Sequence, residues 1–409
     1  MSAFEELKEN IRSHKGDMVA LESLLTAHPA LAPENGGDGE LEKCLALEAW
    51  LKEHGFTDLE RYDAPDERVS AKIRPNLIAT VKGKSDERTV WVMAHLDVVP
   101  TGALSLWNTD PWQVVEKDGR LYGRGVEDNQ QGLVSGVFAA LSLLEKGITP
   151  AYTVKLLFIS DEECGSAYGI NYLLKEHADL FRKEDFILIP DGGDPKGETI
   201  EIAEKNILWM LFHTKGKQCH GSRPDEGKNA CLAGSDLALR LHDMENFFGE
   251  KDSLFTPDHS TFQPTKREAN VDGVNIIPGD DKLCMDARIL PCYSLDQVRA
   301  EVKKRVAAVE AEYGVQIDVT ELQAGESPAT SADAPVVKAL AAAIKNAQGI
   351  EAKTIGIGGG TVGAGLRVKG YDAVVWSTMD ELAHQPNEYC VIENIIRDAE
   401  TLAALFVQA

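Results

Sequence analysis

The chain of 409 residues is 43% hydrophobic and 26% charged, which is typical of a globular protein, and its length predicts two domains. The formal net charge of −24 argues against nucleic acid or an anionic membrane surface as a partner, because both attract basic proteins. No apolar run approaches the roughly 20 residues of a membrane span and the seven cysteines form no C-x-x-C pair, so we expect a cytoplasmic protein.

The predicted elements begin as helices and continue as alternating strands and helices. In chain order, two helical patterns and three β-rich runs cover residues 4–14, 39–56, 89–97, 152–163 and 185–193. Between the first two β-rich runs, residues 127–147 carry apolar side chains at helical spacing. Nearly continuous apolar strands joined by helices predict a parallel sheet that is covered on both faces.

From about residue 207 the order of the predicted elements changes to strand, helix, strand, strand, helix, strand. These elements cover residues 207–216, 229–244, 269–279, 282–290, 294–314 and 315–322. Ser294 and Gln297 form a capping-box pattern at the start of the second helix. The order βαββαβ is that of a ferredoxin-like sandwich.

This βαββαβ segment is predicted to be an insertion. A helical pattern at residues 333–349 and a β-rich run at residues 371–378 resume the earlier alternation after it. The sequence therefore predicts a catalytic α/β domain over residues 1–206 and 325–409, interrupted by a small α+β domain over residues 207–324.

Potential metal ligands follow the predicted strands of the first domain. The strand ends carry His95 and Asp97, then Glu162 and Glu163, then Asp191, and Asp128 directly precedes the intervening helix. Ligands bind at the carboxyl ends of strands in open parallel sheets, so we expect these side chains to converge. Individually, such acids are ordinary in solvated loops or as helix caps. Their shared location instead predicts a dinuclear cation site, which would also neutralise the consecutive acids Asp161, Glu162 and Glu163.

Four segments resemble the signature segments of the M20 family of metallopeptidases and deacylases. They read HLDVVP, DGRLYGRGVEDNQQG, SDEECGS and AHQPNE, and the resemblance runs from about residue 75 to 400. That family contains carboxypeptidase-G-like enzymes, PepV-type dipeptidases, acetylornithine deacetylases and succinyl-diaminopimelate desuccinylases. The resemblance implies a zinc-aminopeptidase-like catalytic domain with an inserted ferredoxin-like lid and dimerisation domain.

The resemblance also implies two metal ions that share Asp128. One ion would be bound by His95, Asp128 and Asp191, and the other by Asp128, Glu163 and His384. Histidine and carboxylate ligands fit Zn²⁺, with Co²⁺ or Mn²⁺ as alternatives. Glu162 would act as general base on the metal-bridged water and pass the proton to the leaving nitrogen. Asp97 would hydrogen-bond the far ring nitrogen of His95 and fix its tautomer.

The predicted lid contributes further residues by the same resemblance. His220 in QCHGSRP would polarise the scissile carbonyl, although an exposed loop histidine is otherwise ordinarily inert. Asn275 and Arg288 would bind the substrate's carboxylate, for which a planar guanidinium is a natural bidentate partner.

The glycine-rich turn IGIGGGTVGAG over residues 355–365 is a candidate anion nest. We expect Gly359, Gly360 and Thr361 to contact the substrate there. A phosphate-binding loop is the competing interpretation, but GxxxxGK[ST] is absent from the turn. Many deacetylases of the family carry Asp after the glycines, whereas Thr361 is closer to the dipeptidase-like members.

The resemblance therefore implies a dinuclear zinc hydrolase that cleaves an amide bond of a dipeptide or short peptide bearing a free carboxylate. The alternative is an N-acyl-amino-acid deacylase similar to acetylornithine deacetylase or succinyl-diaminopimelate desuccinylase. A non-catalytic relative is disfavoured, because Glu162 and the five ligands are all present. We expect a homodimer formed through the lid, with His220 acting either on its own subunit or on the partner.

Overall fold

The computed structural model describes residues 2–268 and 270–408 and divides the chain into two compact units. The first unit comprises Met1–Ile202, Thr330–Ile355 and Thr361–Ala409, and the second comprises Ala203–Ala329 and Gly356–Gly360. The second unit is longer at both ends than the predicted insertion, and it includes part of the glycine-rich turn.

The helices and strands within the described residues are named in chain order. The helices are α1 (Ala3–Ser13), α2 (Lys15–Thr26), α3 (Leu41–Glu53), α4 (Gln131–Lys146), α5 (Ile170–Glu176), α6 (Ala230–His242), α7 (Met244–Phe247), α8 (Leu295–Tyr313), α9 (Pro335–Gln348), α10 (Val362–Val368) and α11 (Ile392–Gln408). The strands are β1 (Leu59–Arg61), β2 (Ala64–Pro65), β3 (Ile73–Arg74), β4 (Leu77–Val81), β5 (Ser85–His95), β6 (Val115–Lys117), β7 (Arg120–Tyr122), β8 (Tyr152–Ile159), β9 (Phe186–Asp194), β10 (Thr199–Glu204), β11 (Asn206–Lys215), β12 (Cys219–His220), β13 (Thr261–Arg267), β14 (Ile276–Ile277), β15 (Asp280–Ile289), β16 (Gln316–Gly325), β17 (Lys353–Ile357), β18 (Ala373–Thr378) and β19 (Tyr389–Val391). Among these described helices, none is long and apolar enough to cross a membrane.

The larger sheet has the strand order β1-β4-β8-β5-β9-β18-β10-β17. Its central strands β8, β5, β9 and β18 are parallel, as the sequence predicts, but β1, β4 and β10 pair antiparallel. The chain reverses after β9 because Asp194 accepts hydrogen bonds from the backbone N–H groups of Lys196, Glu198 and Thr199 in a tight turn. This turn makes β10 antiparallel to β18 and leaves the parallel centre intact.

The second unit contains the antiparallel sheet β13-β15-β11-β16, with α6 packed against its strands and α8 packed against α6 and β16. Apart from Ala269, which lies outside the described residues, the predicted strand over residues 269–279 is wrong. The structure forms only the two-residue β14 there, and the strand that pairs with the outer side of β15 is β13. Strand β13 lies at a sheet edge and buries only Phe262, so its sequence carries little apolar alternation.

Candidate active site

The candidate ligands lie at one edge of the larger sheet, within the first unit. His95 is the last residue of β5, Glu162 and Glu163 follow β8, and Asp191 lies near the end of β9. The loop that follows β18 carries His384, and Asp128 lies just before α4. Because β8, β5, β9 and β18 are parallel neighbours, their carboxyl ends share this edge, and residues far apart in sequence meet there.

His95 is buried, and its two ring nitrogens have different partners. Its Nδ1 lies 2.9 Å from the backbone oxygen of Asp97, which can only accept, so Nδ1 carries the hydrogen. Its Nε2 faces Asp128 Oδ1 at 2.9 Å and Asp191 Oδ1 at 3.7 Å. With Nδ1 occupied by this hydrogen bond, Nε2 is the ring nitrogen that could bind a metal ion lying between it and the carboxylates.

The two oxygens of the Asp128 carboxylate face different histidines. Asp128 Oδ1 lies 2.9 Å from His95 Nε2, whereas Oδ2 lies 3.2 Å from His384 Nε2. His384 Nε2 also lies 3.1 Å from Glu163 Oε2. Asp128 therefore joins two groups of potential ligands, one containing His95 and Asp191 and the other containing His384 and Glu163.

The buried carboxylates of this cluster favour the presence of positive charge among them. Burial raises the pKa values of Glu163 and Asp191. Hydrogen bonds to Asp128 and then to Glu163 raise the pKa of His384 to about 10. Burial alone would lower the pKa of His95, but the surrounding carboxylates, Asp191 first, raise it well above its ordinary value. Both histidines thus lie where a cation is strongly favoured.

The residues present fit a metal site. One ligand atom each from His95, Glu162 and Asp191 lie within 4.8 Å of one another, as do ligand atoms from His95, Asp128 and Glu163. Glu163 Oε1 is buried and has no hydrogen-bond partner among the described residues. A buried carboxylate oxygen without a partner destabilises the folded state unless a ligand binds it. The donors are imidazole and carboxylate groups without thiolate, a set that suits Zn²⁺ and similar divalent ions.

Asp97 has a different main contact from the one predicted. Its carboxylate accepts hydrogen bonds of 3.0 Å from the backbone N–H groups of both Glu162 and Glu163. The Asp97 carboxylate lies 3.5 Å from His95 Nδ1, whereas its backbone oxygen makes the shorter contact. Asp97 thus fixes the backbone of residues 161–163, which we call the acidic turn, as well as the imidazole of His95.

Glu162 points into the same cluster and differs from its neighbours in having no hydrogen bond to either histidine among the described contacts. Burial, opposed by the charge on His95, raises the pKa of Glu162 well above its ordinary value, and nearby carboxylates add to the rise. A carboxyl group with a raised pKa beside candidate ligands is typical of a catalytic acid or base.

The expectation that cations neutralise all three consecutive acids needs correction at Asp161. Its carboxylate lies 3.4 Å from Arg74 Nη2 and accepts a 3.1 Å hydrogen bond from Tyr168 N. Asp161 is 1% exposed and Arg74 is 0% exposed. An internal guanidinium therefore compensates Asp161, whereas Glu162 and Glu163 face the candidate metal centre.

Two buried glutamates that were not predicted from the sequence accept hydrogen bonds from the loops that contain Asp128 and His384. Glu388 accepts hydrogen bonds from the backbone N–H groups of Gly125, Glu127 and Asp128 at 3.0–3.1 Å. Glu127 in turn accepts from the backbone of Asp380 at 2.8 Å and from Leu382. Hydrogen bonds in both directions therefore link the loop that contains Asp128 to the loop that contains His384. Burial raises the pKa of each glutamate to about 7.

Signals for these glutamates were present in the sequence, because Glu127 precedes Asp128 and Glu388 closes the segment AHQPNE. Asn129 is a third such residue. It donates to Asp191 Oδ1 at 2.8 Å and accepts from His95 N at 3.2 Å, and so links two candidate ligands.

His220 and Asn275 lie together in the second unit. Strand β12 pairs with β14, which sets His220 opposite Ile276, and Gly221 N donates to Asn275 O at 2.7 Å. His220 is exposed, and its Nδ1 lies 2.9 Å from Ser222 Oγ. Its Nε2 has no hydrogen bond within the part of the chain that the structure describes.

Arg288 lies on β15, beside part of the glycine-rich turn. Its guanidinium binds the Asp286 carboxylate through two hydrogen bonds of 2.7 and 3.1 Å and donates to Gly358 O at 2.8 Å. Gly359 and Gly360 are exposed and follow that carbonyl. Thr361 belongs to the first unit, where its side chain accepts from Gly363 N at the start of α10.

Comparison with known proteins decides the family. A sequence model described as Peptidase family M20/M25/M40 matches residues 91–408. The chain belongs to this family. The match confirms the resemblance seen in the four signature segments, and it makes the chain a metal-dependent hydrolase.

Similar proteins agree with membership in the M20 family. A protein named as an uncharacterized metallohydrolase of Methanocaldococcus jannaschii is 40% identical over 94% of this chain and 97% of its own length. A succinyl-diaminopimelate desuccinylase of Delftia acidovorans is 27% identical over 92% of this chain and 94% of its own length.

Solved structures confirm the predicted fold. Aminopeptidase PepT from Bacillus cereus has a TM-score of 0.77 at 20% identity, with 98% of each chain covered. The YXEP protein of Bacillus subtilis, described as a dinuclear metal binding peptidase from the M20 family, has a TM-score of 0.66 at 17% identity, with 96% of this chain and 98% of that chain covered.

Proposed function

We propose that the chain is a dinuclear zinc-dependent hydrolase that cleaves an amide bond of a dipeptide or short peptide bearing a free carboxylate. The observation that carries the proposal is the orientation of Asp128, whose two oxygens lie 2.9 and 3.2 Å from the Nε2 atoms of His95 and His384. A carboxylate placed in this way suits two ions that share one ligand. The description of the YXEP protein as a dinuclear metal binding peptidase supports the same arrangement.

In this proposal three protein side chains would hold each ion, the number that is typical of catalytic zinc sites. His95, Asp128 and Asp191 would hold one ion, and Asp128, Glu163 and His384 would hold the other; Co²⁺ or Mn²⁺ would fit the same donors. Bound divalent ions supply Lewis-acid polarisation of the substrate carbonyl and acidify water.

Glu162 is the proposed general base. Asp97 holds the backbone N–H of Glu162 at 3.0 Å, which leaves the Glu162 carboxyl beside His95 and Asp191. The carboxylate would remove a proton from the attacking water and then deliver it to the nitrogen of the broken amide bond. One side chain thereby serves as base and then as acid.

The second unit would contribute binding groups. His220 Nε2 would donate to the carbonyl oxygen as it gains negative charge. Asn275, Arg288 and the turn at Gly359, Gly360 and Thr361 would bind the substrate's carboxylate. Arg288 offers a guanidinium that Asp286 already orients. The proposal includes a cytoplasmic location. All seven cysteines lie within the described residues and are free thiols, as is usual where proteins are kept reduced.

A panel of substrates tests this proposal against deacylase activity, which the desuccinylase name of the Delftia relative favours. We expect Zn²⁺- or Co²⁺-loaded protein to hydrolyse dipeptides faster than N-acetyl or N-succinyl amino acids. The matched control is the C-terminal amide of the best dipeptide. Loss of a charge-assisted hydrogen bond costs about 1.5–3 kcal/mol, so its kcat/KM should fall by roughly 10- to 100-fold. Faster release of succinate or acetate would favour the deacylase, and inactivity on every amide would contradict both.

We also propose that the chain forms a homodimer through the second unit. In its sheet, β13 and β16 lie at the edges, and β16 exposes Val319 (42%) and Leu322 (55%). Such edges commonly pair or are covered. By family resemblance, His220 would then serve the metal centre of the partner subunit.

Complementation tests this arrangement. His220→Ala and Glu162→Gln should each be inactive alone, because each removes one essential group from every active site. After subunit exchange, a mixed dimer should regain one active site, made from Glu162 of one chain and His220 of the other. Activity should be measured alongside a tagged-subunit assay for exchange. Proven exchange without recovery, or a fully active monomer, would exclude the arrangement.

A further inference from the structure

A buried ion cluster lies beside the acidic turn and includes residues that the sequence match to the M20 family does not cover. Arg74 and Glu40 are both 0% exposed, and Asp66 is 3% exposed. Arg74 Nε donates to Glu40 at 2.5 Å and Nη2 makes a second hydrogen bond to the same carboxylate, while Nη1 lies 3.4 Å from Asp66. The family match begins at residue 91, so these three side chains precede it.

The same guanidinium reaches the acidic turn through Asp161. Arg74 Nη2 lies 3.4 Å from Asp161 Oδ1, and Glu40 Oε1 accepts from the backbone N–H of Asp161 at 3.3 Å. Asp161 has a left-handed backbone with φ of 65°, a conformation that is uncommon outside glycine and that Asp and Asn adopt more readily than other residues. The next two residues are Glu162 and Glu163.

Asp161 also closes the far end of the turn. Its Oδ2 accepts from Tyr168 N at 3.1 Å and its backbone oxygen accepts from Ser166 N at 2.6 Å. Tyr168 stacks under two guanidiniums, with Arg68 at 4.9 Å and Arg74 at 5.5 Å from the ring centroid. At one end of residues 161–168, Asp161 therefore forms an ion pair with Arg74. At the other end, the ring of Tyr168 stacks against the same guanidinium.

A buried guanidinium that is surrounded by carboxylates costs desolvation energy, and an apolar cluster would often stabilise a fold as well. The specific advantage of a guanidinium is that its planar group makes hydrogen bonds in fixed directions, which sets the orientation of its partners. We propose that Arg74 is a positioning residue that acts through Asp161 to aim Glu162 and Glu163 at the metal centre. This inference rests on the proposed function for the roles of those two glutamates.

Asp161→Asn is the decisive variant. Asparagine is isosteric and tolerates a left-handed backbone, so the chain should fold. Its single side-chain oxygen can accept from Arg74 or from Tyr168 N, but not from both, and its NH₂ group then faces the remaining donor. We expect the apparent Zn²⁺ affinity to fall by about 10- to 100-fold, and kcat to fall by a similar factor with KM nearly unchanged, as for other residues that orient metal ligands.

The matched control is Asp63→Asn, which breaks another Arg–Asp pair from the same part of the chain. Asp63 accepts from Arg61 Nε and Nη2 at 3.0 and 2.8 Å. Thermal unfolding and Zn²⁺ titration of the metal-stripped proteins are measured for the wild type and both variants. A merely structural role would lower the melting temperature of Asp161→Asn and leave the Zn²⁺ affinity and kcat of the folded protein unchanged. That outcome, or equal losses in Asp63→Asn, would overturn the proposal.

Arg74→Lys provides a second test should Asp161→Asn not fold. Lysine keeps the charge but cannot hold Glu40 through a fork while reaching Asp161, so Zn²⁺ affinity should again fall at least about tenfold. Wild-type affinity in Arg74→Lys would overturn the proposal. The Zn²⁺ titration needs no substrate, so this inference can fail while the proposed amide hydrolysis stands. Equally, it can hold if the wild type hydrolyses none of the tested amides.

Discussion

Glu162→Gln is expected to keep both metal ions and lose most turnover. Glutamine has the shape of glutamate but cannot remove a proton from water, and general-base catalysis contributes about 10²–10⁴-fold. The hydrogen bond from the backbone N–H of residue 162 to Asp97 does not involve the side chain, so the acidic turn should keep its conformation. Elemental analysis of the purified variant and its kcat on the best substrate are the two measurements.

Glu163→Gln is the matched comparison, because it makes the same chemical change at the adjacent residue. Glu163 Oε2 lies 3.1 Å from His384 Nε2, so its replacement should lower the metal content as well as kcat. The Glu162 carboxyl also lies within 4.8 Å of ligand atoms of His95 and Asp191. If Glu162→Gln lost metal as Glu163→Gln does, Glu162 would be a ligand, and normal turnover in Glu162→Gln would remove it from the mechanism.

The meeting of the ligands was predictable from sequence because it follows from topology. His95, Glu163 and Asp191 each lie near the carboxyl end of an apolar strand, and strands joined by helices run parallel and end at one edge. Periodicity alone did not reveal the candidate ligand His384, because its loop carries no strong hydropathy pattern. Its prediction needed the resemblance of AHQPNE to a family segment. The two-domain organisation was likewise readable from the change in element order near residue 207.

The supporting contacts were not predictable, because they join segments whose spacing in sequence carries no signal. Arg74 looks like an ordinary charged residue, yet it is fully buried against Asp161, which lies 87 positions later in the chain. Glu388 binds the backbone of Asp128, 260 positions away. Buried charged residues depend on tertiary pairing, whereas hydropathy patterns identify only apolar faces. The same limit explains the missed strand β13, whose exposed edge lacks apolar alternation.

Asp128→Ala is expected to abolish tight metal binding and, with it, the stability that metal confers. This single change removes the carboxylate that faces both His95 at 2.9 Å and His384 at 3.2 Å, so each of the two proposed ions would lose a ligand. A ligand that binds only the folded state stabilises it by RT ln(1 + [L]/Kd), about 4 kcal/mol at 1,000 times Kd. Added Zn²⁺ should therefore raise the melting temperature of the wild type and leave that of Asp128→Ala almost unchanged.

The control for Asp128→Ala is wild-type protein stripped by a chelator, which separates loss of metal from loss of packing. If metal accounts for the difference, the stripped wild type and the variant should melt at similar temperatures. Asp128→Asn is the companion variant, because it keeps an oxygen toward one histidine and should retain more metal than alanine does. Two ions bound per chain of Asp128→Ala, measured by elemental analysis after dialysis, would contradict the bridging role. Such binding would show that each ion is held by its remaining ligands alone.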